Sequence, residues 1–257
     1  MWYQIIQYIK FLVKSTNQHG VHSPFVYSLV TKCFYDKKKY EAYKHISNYK
    51  KKLLKHKESI LVTDLGAGSQ VMKQKKRAIT DIAKNAGTTK KRAKLLYRII
   101  TYLKPNSILE LGTSLGIATH AMSLANEEAT ITTIEGCPNI SEFSIANFKK
   151  HQLKNIEVLT GDFDDKLKSL STNTYDFIFF DGNHQKDATL QYFNTLLPTA
   201  HNNTVFIFDD IYWSKSMTEA WEIIKQHPNI TVTIDTFFWG LVFFRKEQVK
   251  EHFFIRV

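Results

Sequence analysis

Cysteine is scarce in this sequence, with only Cys33 and Cys137 among 257 residues. The two lie far apart, and neither has a neighbour at the spacing of metal ligands. The sequence therefore offers no disulfide framework and no zinc site. We expect a protein of the reducing cytoplasm.

Long apolar runs are also missing. No stretch of about 18 uninterrupted apolar residues occurs, so we expect no transmembrane helix. Residues 1–13 are apolar and aromatic, but Gln4, Gln7 and Lys10 interrupt them and no small-residue cleavage site follows, which argues against a secretory signal. We interpret them as an amphipathic helix that packs on the core or, alternatively, lies on a membrane surface or a partner.

Acidic residues are few in the first 104 positions, where 23 Lys and Arg stand against 5 Asp and Glu. The rest of the chain has 12 basic and 19 acidic residues, so the two parts carry +18 and −7. Such asymmetry is typical either of a solvated basic surface or of a site for a polyanion such as nucleic acid. Lys far outnumbers Arg, and phosphate and base recognition usually relies on Arg, which favours the solvated surface.

Short apolar strands alternate with amphipathic stretches from residue 107 onward, as in βα units on a parallel sheet. The predicted strands are 107–111, 130–135, 156–160, 175–181 and 204–209, and the helices between and after them are 116–126, 140–152, 164–171, 185–197 and 216–226. Two further strands, 230–235 and 241–245, are joined by only five residues and must form an antiparallel hairpin. We divide the chain into a basic, mainly helical extension, 1–87, and an α/β domain, 88–257.

The first of these strands runs into the loop Glu110-Leu-Gly112-Thr113-Ser114-Leu-Gly116. A glycine loop between a strand and a helix presents backbone N–H groups to a ligand. The dinucleotide fingerprint would need glycines at positions 114 and 117, which hold Ser114 and Ile117, so NAD is disfavoured.

A second acidic and glycine-rich loop runs from Asp64 to Ser69 after the apolar run 60–62. The residues that follow, 70–77, are polar and basic, with no second strand and no acid at a suitable distance. We interpret this loop as a turn before the core.

The spacing of Glu110, Gly112 and Gly116 resembles the first motif of the class I S-adenosylmethionine (SAM) dependent methyltransferases. The resemblance implies a Rossmann-like fold with a seven-stranded, mostly parallel sheet and an antiparallel C-terminal hairpin.

The resemblance also implies that the loop, including Thr113 and Ser114, wraps the methionine end of SAM. Glu135 and Gly136 would then meet the ribose, since a carboxylate at a strand end can accept from both hydroxyls. Asp162 and Phe163 would contact the adenine.

Three carboxylates follow the fourth and fifth strands, namely Asp181, Asp209 and Asp210. Their mutual repulsion would be relieved by a hard cation such as Mg²⁺ or another divalent ion. The pattern resembles the metal-dependent catechol and caffeoyl-CoA type O-methyltransferases, in particular a bacterial branch, over residues 88–217. That family carries an acid after strand four, in the place of Asp181, and we predict Asp181 as a cofactor-binding residue as well as a metal ligand. Asp210 departs from the family, which has Asn there.

His184 stands where that family often has a catalytic Lys, and a histidine can take a proton near neutral pH. We therefore predict His184 and Asp181 as catalytic residues for methylation of a small hydroxylated acceptor. Two other functions stay open: an RNA or DNA methyltransferase that uses the basic region, and a SAM-binding module without catalysis. A homodimer is also left open.

Overall fold

The computed structural model describes residues 2–63 and 74–257. The chain forms two compact units: Met1–Tyr35 together with Leu167–Val257, and Asp36–Lys166. The helices are α1 Trp2–Lys14, α2 Pro24–Leu29, α3 Ala42–Leu53, α4 Ile79–Asn85, α5 Lys90–Leu103, α6 Ile117–Ala125, α7 Pro138–Lys150, α8 Phe163–Leu170, α9 Lys186–Leu196 and α10 Lys215–Gln226. Gln18–Gly20 and Leu197–Thr199 form 3₁₀ turns, and Val30–Phe34 forms a π-helical turn.

The strands are β1 Ser59–Leu61, β2 Lys76–Ala78, β3 Ser107–Leu111, β4 Thr130–Glu135, β5 Ile156–Thr160, β6 Phe177–Phe180, β7 Val205–Asp209, β8 Val232–Asp235, β9 Trp239–Phe243 and β10 Glu251–Phe254. The seven predicted strands are all present, some shortened or displaced by a residue or two. The predicted helices are confirmed as α6 to α10.

The unit Asp36–Lys166 is built on the parallel strands β3, β4 and β5. Their ends lie in register, since Leu111 pairs with Ile134 and Glu135 pairs with Thr160. The Thr89 side chain accepts from the backbone N–H of Arg92 and caps the start of α5. Lys104, in the left-handed region at φ 51°, ends that helix before β3. Sequence thus places the first core strand through its helix-capping signals.

The same unit holds a two-stranded antiparallel ribbon of β1 and β2, with Ile60 opposite Arg77. Our expectation that no strand follows the run 60–62 was therefore wrong at residues 76–78. This short strand is polar and has no apolar alternation to reveal it in the sequence. The loop Asp64 to Ser69 lies outside the described residues.

The other unit orders its five strands β6-β7-β9-β8-β10. β6 and β7 are parallel, while β9 runs antiparallel to both β7 and β8. The predicted hairpin is thus confirmed as β8 and β9, with Asp235 opposite Gly240. β10 adds a parallel strand beside β8 that the sequence analysis did not predict.

Helix α1 packs through one edge of its apolar surface. Phe11 is buried and its ring lies 5.7 Å from that of Phe237, while Tyr8 meets the same ring at 4.8 Å. Trp2 and Val13 are 79% and 83% exposed. The interpretation of a packed amphipathic helix is therefore confirmed for one face, and much of its apolar surface remains in solvent.

Across the described ranges, no helix is long and apolar enough to cross a membrane. The boundary between residues 87 and 88 stays a prediction.

Candidate active site

The glycine loop leaves β3 by a tight turn against the neighbouring strand. The N–H groups of Gly112 and Thr113 both donate to the carbonyl oxygen of Ile134, at 3.0 and 3.1 Å. Gly112, Ser114 and Gly116 have φ values of 102°, 47° and 72°. Glycine adopts such values without steric cost, whereas Ser114 must be held there by its surroundings.

The carboxylate of Glu135 holds Ser114 in place. Its Oε2 accepts from the backbone N–H of Ser114 at 2.8 Å, and its Oε1 accepts from that of Cys137 at 2.9 Å. On the other side of the loop, the Ser144 hydroxyl of α7 donates to the Ser114 carbonyl at 2.6 Å. The acid predicted to bind a ribose is therefore also a clamp on the predicted cofactor loop.

Gly116 is required by packing as well as by its backbone angle. A Cβ at this position would lie 2.4 Å from the Phe148 ring and 3.2 Å from the Tyr49 hydroxyl. Gly116 also caps α6 and accepts from the N–H of His120. No other residue fits there without displacing Phe148.

Glu110 is fully buried beneath the loop. Its Oε2 accepts from the hydroxyls of Thr119 and Thr133 at 2.5 and 2.6 Å, while Oε1 has no hydrogen-bond partner in the described parts of the chain. Burial raises the pKa of Glu110 to about 7, aided by the negative charge of Glu135 and opposed by the two hydroxyls. The geometry makes Glu110 an internal support of the loop's base.

Asp162 follows β5, as predicted, and its Oδ1 accepts from the backbone N–H of Asp164 at 2.8 Å. This bond stabilises the first turn of α8. Gly136 and Phe163 are both half-buried. The contacts of Gly136, Asp162 and Phe163 with a cofactor stay predictions.

The unit with β6 and β7 contains a small cavity of about 10 Å³, bordered by His184 and Asp209. Asn183, between Gly182 and His184, has φ 50° and donates from Nδ2 to the Tyr192 hydroxyl at 3.0 Å. His184, which follows this turn, borders the cavity. Asp181 and Asp210 are not among the residues that border it.

The predicted metal ligands follow the neighbouring strands β6 and β7, where Phe180 pairs with Phe208. Asp209 ends β7 and is buried, whereas Asp210 is in the left-handed region at φ 53°, with its carbonyl accepting from Trp213 at 2.8 Å. Within residues 2–63 and 74–257, no group of three or more His, Cys, Asp or Glu side chains is placed to hold a metal ion. The three aspartates therefore do not fit a ready-made cation site.

Comparison with known proteins places these residues in a family context. Residues 109–211, which include every predicted site residue, match a family model described as a methyltransferase domain. Over this segment the chain is similar to that family. Its fold is the Rossmann-like fold of class I methyltransferases, with a mainly parallel central sheet, one antiparallel pair near the C-terminus and surrounding helices.

Solved structures show the same fold at low sequence identity. The O-methyltransferase TomG from Streptomyces achromogenes, involved in tomaymycin synthesis and solved with SAM, is 15% identical with a TM-score of 0.57, over 81% of this chain and 91% of that one. An O-methyltransferase from Bacillus cereus, solved with SAH, is 17% identical with a TM-score of 0.53, over 85% and 96%. The SAH-bound methyltransferase PaMTH1 from Podospora anserina is 18% identical with a TM-score of 0.55, over 62% and 80%.

Sequence reasoning missed two supports of the glycine loop. The Tyr49 hydroxyl donates to the Leu115 carbonyl at 2.8 Å, and Ser144 bonds to Ser114. Both contacts join residues 30 or more positions apart. No local pattern in the sequence could have revealed them.

Proposed function

We propose that this protein is a SAM-dependent O-methyltransferase that acts on a small hydroxylated acceptor. The observation that carries the proposal is the clamped loop at the end of β3, where the Glu135 carboxylate holds Ser114 in a left-handed conformation. A rigid strand–loop–helix turn of this kind offers a prepared surface to a nucleoside-type cofactor. Two structures with the same fold belong to O-methyltransferases solved with SAM or SAH, which supports the proposal.

The proposed cofactor contacts follow the order of the strands. The loop from Glu110 through Gly116, with Gly112, Thr113 and Ser114, takes the methionine end; Glu135 and Gly136 take the ribose; Asp162, Phe163 and Asp181 complete the set. A carboxylate has about four acceptor positions, and two of those on Glu135 are used by backbone N–H groups. We propose that the same carboxylate also accepts from the ribose hydroxyls of SAM.

Isothermal titration with SAH tests the cofactor site. We expect Glu135→Gln to weaken SAH binding by at least about tenfold, because the amide loses the charge and one acceptor. Glu157→Gln is the matched control, since Glu157 is exposed on β5 and is not among the proposed cofactor residues. Absence of SAH binding by the unmodified protein, or equal binding by Glu135→Gln, contradicts the proposal.

In the proposed reaction an acceptor oxygen attacks the sulfonium methyl of SAM. The new C–O bond forms as the C–S bond breaks, and the products are a methyl ether, SAH and one proton. We propose that a ring nitrogen of His184 receives that proton as the general base. Asp181 is the second proposed catalytic residue.

Steady-state kinetics on an acceptor found by screening hydroxylated compounds tests His184. We expect His184→Gln to lower kcat by about 10²-fold or more, with little change in SAH affinity. His227→Gln is the control, because His227 is partly buried in the same unit but does not border the cavity. Unchanged turnover in His184→Gln would remove this residue from the mechanism.

Metal assistance is the finer part of the sequence prediction, with Asp181, Asp209 and Asp210 as ligands. Because these aspartates form no three-ligand group, the proposed mechanism contains no step through a cation. We expect Mg²⁺ to leave the thermal unfolding of the SAH complex unchanged. A saturable Mg²⁺-dependent stabilisation that Asp209→Asn abolishes would restore the metal site.

A further inference from the structure

The unit Asp36–Lys166 contains a second cavity, of about 310 Å³, that takes no part in the proposed cofactor site. Its wall comes from α3 and the segment after it, from α6, and from the end of α7, with Tyr49 at the base. The charged and titratable residues that border it are His45, Lys51, Lys52, Lys55, His120 and His151. No carboxylate is among its lining residues.

Three lysines supply a concentrated positive charge at the border of this cavity. Lys51, Lys52 and Lys55 are exposed, and within the described chain their side chains have neither an ion pair nor a hydrogen bond. By contrast, Lys50 on the same helix is buried and donates to the carbonyls of Gly87 and Thr88 at 3.1 and 2.7 Å. The lysine run therefore has two roles: Lys50 supports the structure, whereas Lys51, Lys52 and Lys55 place positive charge at the cavity.

His120 provides an observation independent of the lysines. It is only 2% exposed, its ring stacks on Tyr49 at 4.4 Å, and the ring of His151 meets it edge-on at 5.7 Å. Its Nδ1 is buried and, as far as the chain is described, has no hydrogen-bond partner. A buried polar atom without a partner is costly, and the His120 residue that carries it borders the cavity.

The neutral form of His120 fits that role. Burial, with a smaller contribution from the positive charge of His151 and His45, lowers its pKa to about 3. A neutral imidazole keeps one N–H donor, which can donate to a ligand oxygen without the cost of a buried charge.

We propose that this cavity binds a small phosphorylated molecule, with its phosphoryl oxygens facing Lys51, Lys52 and Lys55 and one ligand oxygen bonded to His120. Lysine ammonium groups serve proteins as point charges for phosphate. The cavity's volume suits a small ligand, whereas an extended polyanion would need an open groove. The inference does not rest on the proposed methyl transfer, because none of the predicted cofactor residues borders the cavity.

Titration with inorganic pyrophosphate at constant ionic strength tests the site in the full-length protein. We expect saturable binding of one pyrophosphate, weakened at least about tenfold in the triple variant Lys51→Gln, Lys52→Gln, Lys55→Gln. The matched control is Lys37→Gln, Lys39→Gln, Lys57→Gln, which removes the same charge from exposed positions outside the cavity. Binding in that control should stay within about twofold of the unmodified protein. Equal losses in the two triple variants, or no saturable binding at all, overturn the proposal.

NMR of the histidine rings locates the ligand without relying on a core substitution. We expect the ring-nitrogen signals of His120 to move on addition of pyrophosphate, and His120→Phe, which retains an aromatic stack on Tyr49, to weaken binding. Pyrophosphate binding with unchanged His120 signals would place the ligand elsewhere and overturn the inference. A single-stranded RNA that displaces pyrophosphate equally well from both triple variants would indicate a diffuse polyanion surface in place of a discrete site. That result would also overturn the inference.

Discussion

Two residues of the glycine loop show how a buried side chain and a missing one shape the same site. Glu110 places a carboxyl group in the interior, where only Oε2 is satisfied by hydroxyl donors. Gly116 provides the space into which the Phe148 ring fits. Burying Glu110 has a free-energy cost that depends on pH, and position 116 has no room for an added side-chain atom.

The pH dependence of Glu110 can be predicted in sign. Burial raises its pKa from the ordinary 4.5 to about 7 in the folded protein, so the folded state binds the proton more tightly than the unfolded state. Stability from this group is complete below about pH 4.5 and is lost as pH rises through 7. Glu110→Gln removes this loss, because the amide does not titrate. As pH rises from 5 to 8, we expect the free energy of unfolding of the variant to increase relative to that of the unmodified protein by up to roughly 3 kcal/mol.

Urea unfolding at four pH values across that window measures the effect. Glu157→Gln, on the exposed side of β5, should follow the unmodified protein throughout. A constant difference between Glu110→Gln and the unmodified protein would show that Glu110 does not titrate in this range.

Gly116→Ala tests the close packing at the start of α6. Alanine would have to adopt the backbone angle of Gly116, φ near 72°, and its Cβ would collide with the Phe148 ring. We therefore expect a loss of about 2–4 kcal/mol in the free energy of unfolding and weaker SAH binding. Adding Phe148→Leu should recover part of the stability, because it relieves the contact but not the backbone strain. No recovery would assign the whole cost to the backbone angle.

Among the elements, the antiparallel strand β9 is as tightly specified as the glycine loop. Gly240 lies opposite Phe208 of β7 and Asp235 of β8, and a Cβ on it would lie 2.7 Å from the Trp221 ring of α10. The strand and the helix can approach closely only because position 240 has no side chain.

We expect Gly240→Ala to destabilise the protein by about 1–3 kcal/mol through overpacking against the fully buried Trp221. Thermal and urea unfolding measure the loss. Combining it with Trp221→Phe should be less costly than the sum of the two single changes, since the smaller ring leaves room for the methyl group. Strict additivity would show that the two positions do not share a contact.

At the scale of the whole chain, the two compact units divide the predicted residues unequally. Asp36–Lys166 contains the glycine loop, Glu135 and Asp162, whereas Asp181, His184, Asp209 and Asp210 belong to the other unit. All the proposed cofactor residues except Asp181 therefore belong to Asp36–Lys166, and the proposed general base His184 does not.

Hydrogen exchange with and without SAH tests this division. We expect SAH to slow hydrogen exchange of the backbone amides in residues 107–162. The reason is that a ligand present at about 100 times its Kd adds roughly 2.7 kcal/mol of stability to the state that binds it. Glu135→Gln should reduce this protection at the same SAH concentration. Protection confined to residues 167–257 would contradict the proposed cofactor site.

Sequence by itself determined the order of the elements from β3 to β9, because apolar periodicity and the short link before β9 act between near neighbours. It also located the loop Glu110 to Gly116, whose glycines answer a local backbone requirement. Only the tertiary structure decided what the side chains do there. Glu135 became a clamp on Ser114, Tyr49 reached Leu115, and the aspartates failed to form a three-ligand group. The basic cavity around His120 belongs to the same class: its wall joins residues up to 106 positions apart, from His45 to His151, and such proximity depends on how helices pack, which no local pattern records.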